Sequence, residues 1–98
     1  MTFLVFCVFD LKHAKREDYL YAYMDLADMG LKQTVKSENG PSFKLPGAAV
    51  MGTFDGRSVE DVRSIVSKQV QGIFKARGLR GTFFVVASAD WACAGEST

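Results

Sequence analysis

At 98 residues and 10.8 kDa the chain is one domain long, within the usual range of roughly 50–200 residues. Its 48% hydrophobic and 23% charged content excludes a disordered or collagen-like polymer, and its length leaves no room for a separate substrate domain. Twelve Lys and Arg against eleven Asp and Glu give a net charge of +1, so any binding to a polyanion must come from a local patch and not from a global field.

The first element is Thr2–Asp10, a run rich in Phe and Val that ends at a carboxylate. It is too short for a core helix and far too short to span a bilayer, so it reads as a buried strand. It also lacks the basic flank and small-residue cleavage site of a signal peptide. The two cysteines, Cys7 and Cys93, match no CxxC or zinc spacing. Cys7 inside the apolar run reads as an ordinary buried thiol, and the expected setting is cytoplasmic and reducing. From about Lys15 to Met29, Tyr19, Leu20, Tyr23, Met24, Leu26 and Ala27 recur at helical spacing, with Gly30 as the cap. Leu31–Ser37 alternates as a polar strand whose lysines suit a sheet edge. Glu38-Asn39-Gly40-Pro41 is a turn signal, with a loose link to Pro46-Gly47.

Ala48–Phe54 reads as the third strand. Ser58 opens a second helix, with Glu60 and Asp61 in its first turn and Val59, Val62, Ile65, Val66, Val70, Ile73 and Phe74 forming one apolar stripe. Gly78 is its cap, and Thr82–Ser88 is the fourth strand. Residues 1–98 thus form one domain with an ordered core over about 2–88 and a small polar tail, 89–98, marked only by Trp91.

The order β-α-β-β-α-β predicts an α+β, ferredoxin-like sandwich: a four-stranded antiparallel sheet with two helices on one face. Right-handed crossovers put strands one and three in the centre, two and four at the edges. That topology gathers one rim from distant segments. Asp10, Lys12, His13, Lys15 and Arg16 come from the first loop, Glu38, Asn39, Ser42, Phe43 and Lys44 from the hairpin, and Arg77 and Arg80 from the last connection. The cations among them make a phosphate-binding footprint by local patch. Strands one and four are apolar on both faces, so the open face of the sheet needs a cover. A homodimer through that face is the simplest one. Stacked bases, as on RNA-recognition motifs, fit less well because Ala48–Phe54 lacks the basic and paired-aromatic pattern of those sheets.

The run Asp28-Met29-Gly30-Leu31, then Val35, Glu38-x-Gly40 and Leu45, resembles the corresponding run in GhoS-type endoribonuclease antitoxins of type V toxin–antitoxin systems. Asp10 followed by Lys15-Arg16 also resembles the strand-one carboxylate and basic helix start of the wider VapD and CRISPR-adaptation-nuclease superfamily. The order of elements matches over nearly the whole chain. The residue match is confined to Asp28–Leu45 and the end of strand one, and the tail with Trp91 has no counterpart. The resemblance implies a small cytoplasmic RNase or RNA-binding antitoxin acting on single-stranded transcript.

RNA cleavage without a large pocket needs an acid or base near the 2′-hydroxyl, cations on the phosphorane and a grip on the strand. His13 is the only histidine and the only side chain that ordinarily titrates near neutrality. It is the candidate acid or base, with Asp10 as the second catalytic candidate. Lys12, Lys15, Arg16, Lys44 and Arg80 are the candidate phosphate contacts, and Tyr19 or Phe43 could stack a base. No cofactor and no multi-residue metal site is expected. A Mg²⁺ held by Asp10 and its dimer mate is the one exception, since Mg²⁺ keeps most of its waters. The competing class is a dimeric ferredoxin-like regulatory or protein-binding module without chemistry, which the single histidine and the shortage of paired carboxylates favour.

Overall fold

A computed structural model describes residues 1–36 and 41–96. The element order is β1 (Thr2–Leu11), α1 (Arg16–Asp28), β2 (Thr34–Lys36), β3 (Ser42–Lys44), β4 (Ala49–Asp55), α2 (Val59–Ala76) and β5 (Gly81–Ser88). The protein is α+β: β4-β1-β5 form an antiparallel sheet with β1 in the middle, and β2-β3 form a separate two-stranded sheet.

The central strand explains the core. Successive side chains alternate between faces of a strand, and Phe3, Val5, Cys7, Phe9 and Leu11 are all buried on one side of β1. They pack against Ala22 and Leu26 of α1 and Val62, Val66, Val70 and Phe74 of α2, so both helices cover the same face. Each fully buried aliphatic side chain contributes about 1.5–3 kcal/mol by leaving water. Burial pushes the Cys7 thiol up to about 11, so it stays protonated and inert at neutral pH.

Helix α2 begins as the sequence dictates: the Ser58 hydroxyl accepts the Asp61 N–H at 3.1 Å. Helix α1 starts differently, with the Asp18 carboxylate accepting the Lys15 N–H at 2.9 Å. It ends at Gly30, whose φ of +103° few other residues tolerate. The Gly30 carbonyl then passes so close to β4 that a Cβ on Gly52 would collide with it. Two glycines therefore set how the chain leaves α1 and meets the sheet.

The sequence expectation of a four-stranded sheet differs from this arrangement at one place. Of the segment expected as the edge strand, Leu31–Lys36 does not run along the sheet. It touches β4 only through one bridge, Lys32 with Met51, and Thr34–Lys36 turns away to pair with Ser42–Lys44. The strand expected at Ala48–Phe54 thus lies at the side of the three-stranded sheet rather than at its centre. The physical reason lies in side-chain chemistry: Leu31 is fully buried in the core, but Lys32, Gln33 and Thr34 after it offer no apolar surface to hold the segment along β4. The turn expected at Glu38-Asn39-Gly40 falls outside the described residues. No helix among the described residues is long and apolar enough to cross a membrane.

Candidate nucleic-acid interface

The C-terminal end of β1 is where chemistry-bearing residues gather. Pairing of β1 with β4 ends where the Phe9 N–H donates to the Ala48 carbonyl. Beyond that point the chain needs another partner, and Tyr19 of α1 supplies it. Its hydroxyl accepts the Leu11 N–H at 3.0 Å and lies 3.3 Å from an Asp10 carboxylate oxygen, to which it can donate. On the other side, the Lys12 N–H donates to the Arg80 carbonyl at 2.7 Å. Asp10, Lys12, Tyr19 and Arg80 are therefore fixed at one end of the sheet by bonds that reach across the chain.

Alongside that end lies an open cleft of about 540 Å³, lined by Arg16, Tyr19, Leu20, Tyr23, Gln33, Lys44, Leu45, Pro46 and Gly47. Its walls come from three segments: α1, the start of the β2 arm, and the stretch between β3 and β4. The rings of Tyr19 and Tyr23 are one helical turn apart. Both are backed by Phe9, Tyr19 stacked at 6.0 Å between centroids and Tyr23 edge-on at 5.6 Å. The Tyr23 hydroxyl donates to the Gly47 carbonyl at 3.4 Å, tying α1 to the opposite wall. Burial, together with neighbouring Tyr19, pushes the Tyr23 phenol above its ordinary value, so it remains neutral and able to donate. Among the described residues, two cations line the cleft and no carboxylate does. That combination places positive charge beside two tyrosine rings.

The sequence-predicted residues divide into three groups. Arg16, Tyr19 and Lys44 come together in the cleft although Lys44 is far from the other two in sequence. Asp10, Lys12, Lys15, His13 and Arg80 are exposed at the same end of the sheet without lining the cleft. His13 occupies the left-handed region with φ of +51°, in the turn that links β1 to α1. That conformation is uncommon outside glycine, and it makes a tight corner that presents the imidazole to solvent. Phe43 stands apart: its ring lies against Gly95 of the tail, where a Cβ would come within 2.6 Å. One side of that ring is thus already occupied by this chain.

Arg77, placed on the rim by topology, is engaged elsewhere. Its guanidinium forms a two-pronged pair with Asp25 of α1, and it sits 4.5 Å from the centroid of the Tyr21 ring. The Arg77 hydrogen bond holds the Asp25 carboxyl below the usual carboxylate range. This arginine joins α1 to α2 and is not a free phosphate ligand.

Tyr23, Gln33 and the Leu45-Pro46-Gly47 wall were not anticipated from sequence. The available signal was the spacing of Tyr19 and Tyr23, which puts both on one face of a helix. For a metal, the fit is poor within one chain: among the described residues no three His, Cys, Asp or Glu side chains cluster. Asp10 offers a single carboxylate that already faces the Tyr19 hydroxyl. No protein-family model matches the chain, and a search of curated proteins finds no match.

Proposed function

We propose that this is a small cytoplasmic RNA-binding protein that grips single-stranded RNA in the cleft between α1 and the β3–β4 link, with endoribonuclease activity of the antitoxin type. The observation that carries the reading is the convergence of Arg16 and Lys44 on a cleft floored by Tyr19 and Tyr23, with no carboxylate among its described lining residues. Cations take the phosphates, and the tyrosine rings take the bases, which tolerates any sequence because every base has a π-face. Lys12, Lys15 and Arg80 extend the positive surface along the same end of the sheet.

For cleavage, His13 supplies the acid or base. Its ring projects from a tight corner beside the cations, and proton transfer to or from a 2′-hydroxyl requires no pocket deeper than that. Asp10, held beside Tyr19, is the second group of the site. The fold reading that accompanies this function is a reduced ferredoxin-like sandwich. The Lys32–Met51 bridge stands where a full fourth strand would pair, and the resemblance to GhoS-type antitoxins belongs with that reading.

The test is incubation of the purified protein and of His13→Ala with a mixed single-stranded RNA ladder, with and without EDTA. The reading expects cleavage by the parent in both lanes and a rate slower by about 10²–10⁴-fold for His13→Ala. Cleavage abolished by EDTA and unchanged by His13→Ala would instead assign the chemistry to Asp10 and a metal. Intact RNA throughout, with binding retained, would leave the cleft as a binding site only.

A non-catalytic protein-binding module is favoured by one observation. Leu20 and Met24 stand one turn apart on α1 and are 51% and 59% exposed, a small apolar ledge that begins at the cleft wall with Leu20.

A further inference from the structure

Strand β5 ends the order β4-β1-β5, and among the described residues no strand lies on its outer side. It is eight residues long, Gly81–Ser88, and contains neither a charge nor a proline. Protected edges use lysines, prolines or bulges to prevent pairing with another chain. The opposite flank of the molecule has such protection in Lys32, Lys36 and Lys44, and β5 has none.

The exposed apolar surface follows the same edge. Phe84 is 66% exposed, Val86 44% and Val8 38%, whereas Leu4, Phe6 and Met51, on the same face, are half-buried. A copy laid over the whole open face would need exposure across its full width. The pattern instead concentrates on β5 and its immediate neighbour.

We propose that two copies of the chain pair antiparallel through β5, about a two-fold axis at Val85, to give one continuous sheet of β4-β1-β5 from each copy. Register supports it. The Lys12 N–H bonds to the Arg80 carbonyl, and hydrogen-bonded pairs alternate along an antiparallel ladder. The even residues of β5 therefore bond inward to β1, as the register Val8 with Phe84 and Phe6 with Val86 requires. The backbone groups of Phe83, Val85 and Ala87 are left pointing outward. A two-fold axis at Val85 uses all three.

On the open face this register sets Phe84 against the partner's Val86 and Thr82 against the partner's Ser88. The strand is thus complementary to itself in reverse, apolar residue on apolar residue and hydroxyl residue on hydroxyl residue, twice over by symmetry. Axes at Phe83 or Phe84 would set Thr82 against the partner's Phe84 or Val86, and axes at Val86 or Ala87 would set Ser88 against the partner's Phe84 or Val86. Only the Val85 register matches every pair. This inference is independent of the RNA reading, because it concerns an edge that does not line the cleft.

The experiment combines mass with a cross-link. Light scattering on the whole chain should give twice the 10.8 kDa of the protomer. Thr82→Cys with Ser88→Cys, in a Cys93→Ser background, should form a covalent dimer on mild oxidation. Directly opposed residues of a non-hydrogen-bonded pair lie about 4.5 Å apart between Cα atoms, within disulfide reach. Within one chain the same two positions are separated by about 20 Å of strand, so the bond can form only between copies. Phe84→Lys, on the exposed face, should give a monomer with an unchanged circular dichroism spectrum. A parent mass of one protomer at the highest soluble concentration would overturn the proposal. A dimer that fails to cross-link, or that survives Phe84→Lys, would also overturn it and move the interface off this edge.

Discussion

The two helices cover the same face of the sheet and do opposite work. Helix α2 presents Val62, Val66, Val70 and Phe74 as one continuous buried stripe, whereas α1 buries fully only Ala22 and Leu26. The large side chains of α1 are directed elsewhere: Tyr19 and Tyr23 floor the cleft, Tyr21 lies under Arg77, and Leu20 and Met24 face solvent. A helix that merely holds a fold shows a clean apolar stripe. One that scatters aromatic and apolar residues around its girth is serving surfaces other than the core. By that measure α2 is scaffold, whereas α1 also lines the cleft.

Mutation should expose that division by size of effect. Truncating Phe74→Ala in α2 removes a ring that meets both Phe9 and Phe83. We expect it to cost about 3–5 kcal/mol in chemical denaturation. Tyr19→Phe keeps the ring and removes the acceptor of the buried Leu11 N–H. The expected destabilisation is about 1–3 kcal/mol, the cost of an unsatisfied buried donor, accompanied by weaker RNA binding as the end of β1 loosens. A destabilisation as large as that of Phe74→Ala would show that α1 is scaffold too.

Asp25→Asn tests the tie between the helices through pH. The Arg77 hydrogen bond lowers the folded-state value of Asp25, so the stabilisation is complete above the ordinary carboxylate range of about 4 and is lost as pH falls through the lowered value. Melting curves should therefore show parent and variant furthest apart at neutral pH and converging in acid. A gap that persists at low pH would mean the pair does not depend on the Asp25 charge. Smallest of all should be Leu20→Ala and Met24→Ala, each within about 0.5 kcal/mol because neither fills the core. A cost of several kcal/mol from either would break the contrast between the helices.

How much of this was legible in the sequence follows from where the determining forces lie. The strand at Thr2–Asp10, the stripe of α2, the Ser58 cap and the Gly30 stop are local patterns, and all are found where the residues put them; that β1 buries only its odd residues could not be read from a run apolar on both faces. The β2–β3 pairing was missed because Ser42-Phe43-Lys44 is too short to show a period, and because its partner choice depends on packing remote in sequence. Arg77 was misplaced for a related reason. Its position at the end of α2 was right, but its capture by Asp25 depends on how closely the helices approach. In the site, Arg16, Tyr19 and Lys44 were legible as a charge and aromatic pattern. Tyr23 and Gln33 were not, because only the path of the chain after α1 brings them to the cleft.

The central claim is that the cations beside α1 bind RNA and those on α2 do not. It is tested most directly by the salt dependence of single-stranded RNA binding, followed by fluorescence anisotropy. Two double variants are compared with the parent: Arg16→Ala with Lys44→Ala in the cleft, and Arg63→Ala with Lys68→Ala on the exposed side of α2. Each removes two positive charges, so the net charge changes equally. Deleting one cation that neutralises a phosphate should flatten the log–log slope by about 0.7 for single strands. We predict a slope flattened by about 1.4 for the cleft variant and unchanged for the α2 variant. Equal flattening by both, or by neither, would contradict a binding site in the cleft.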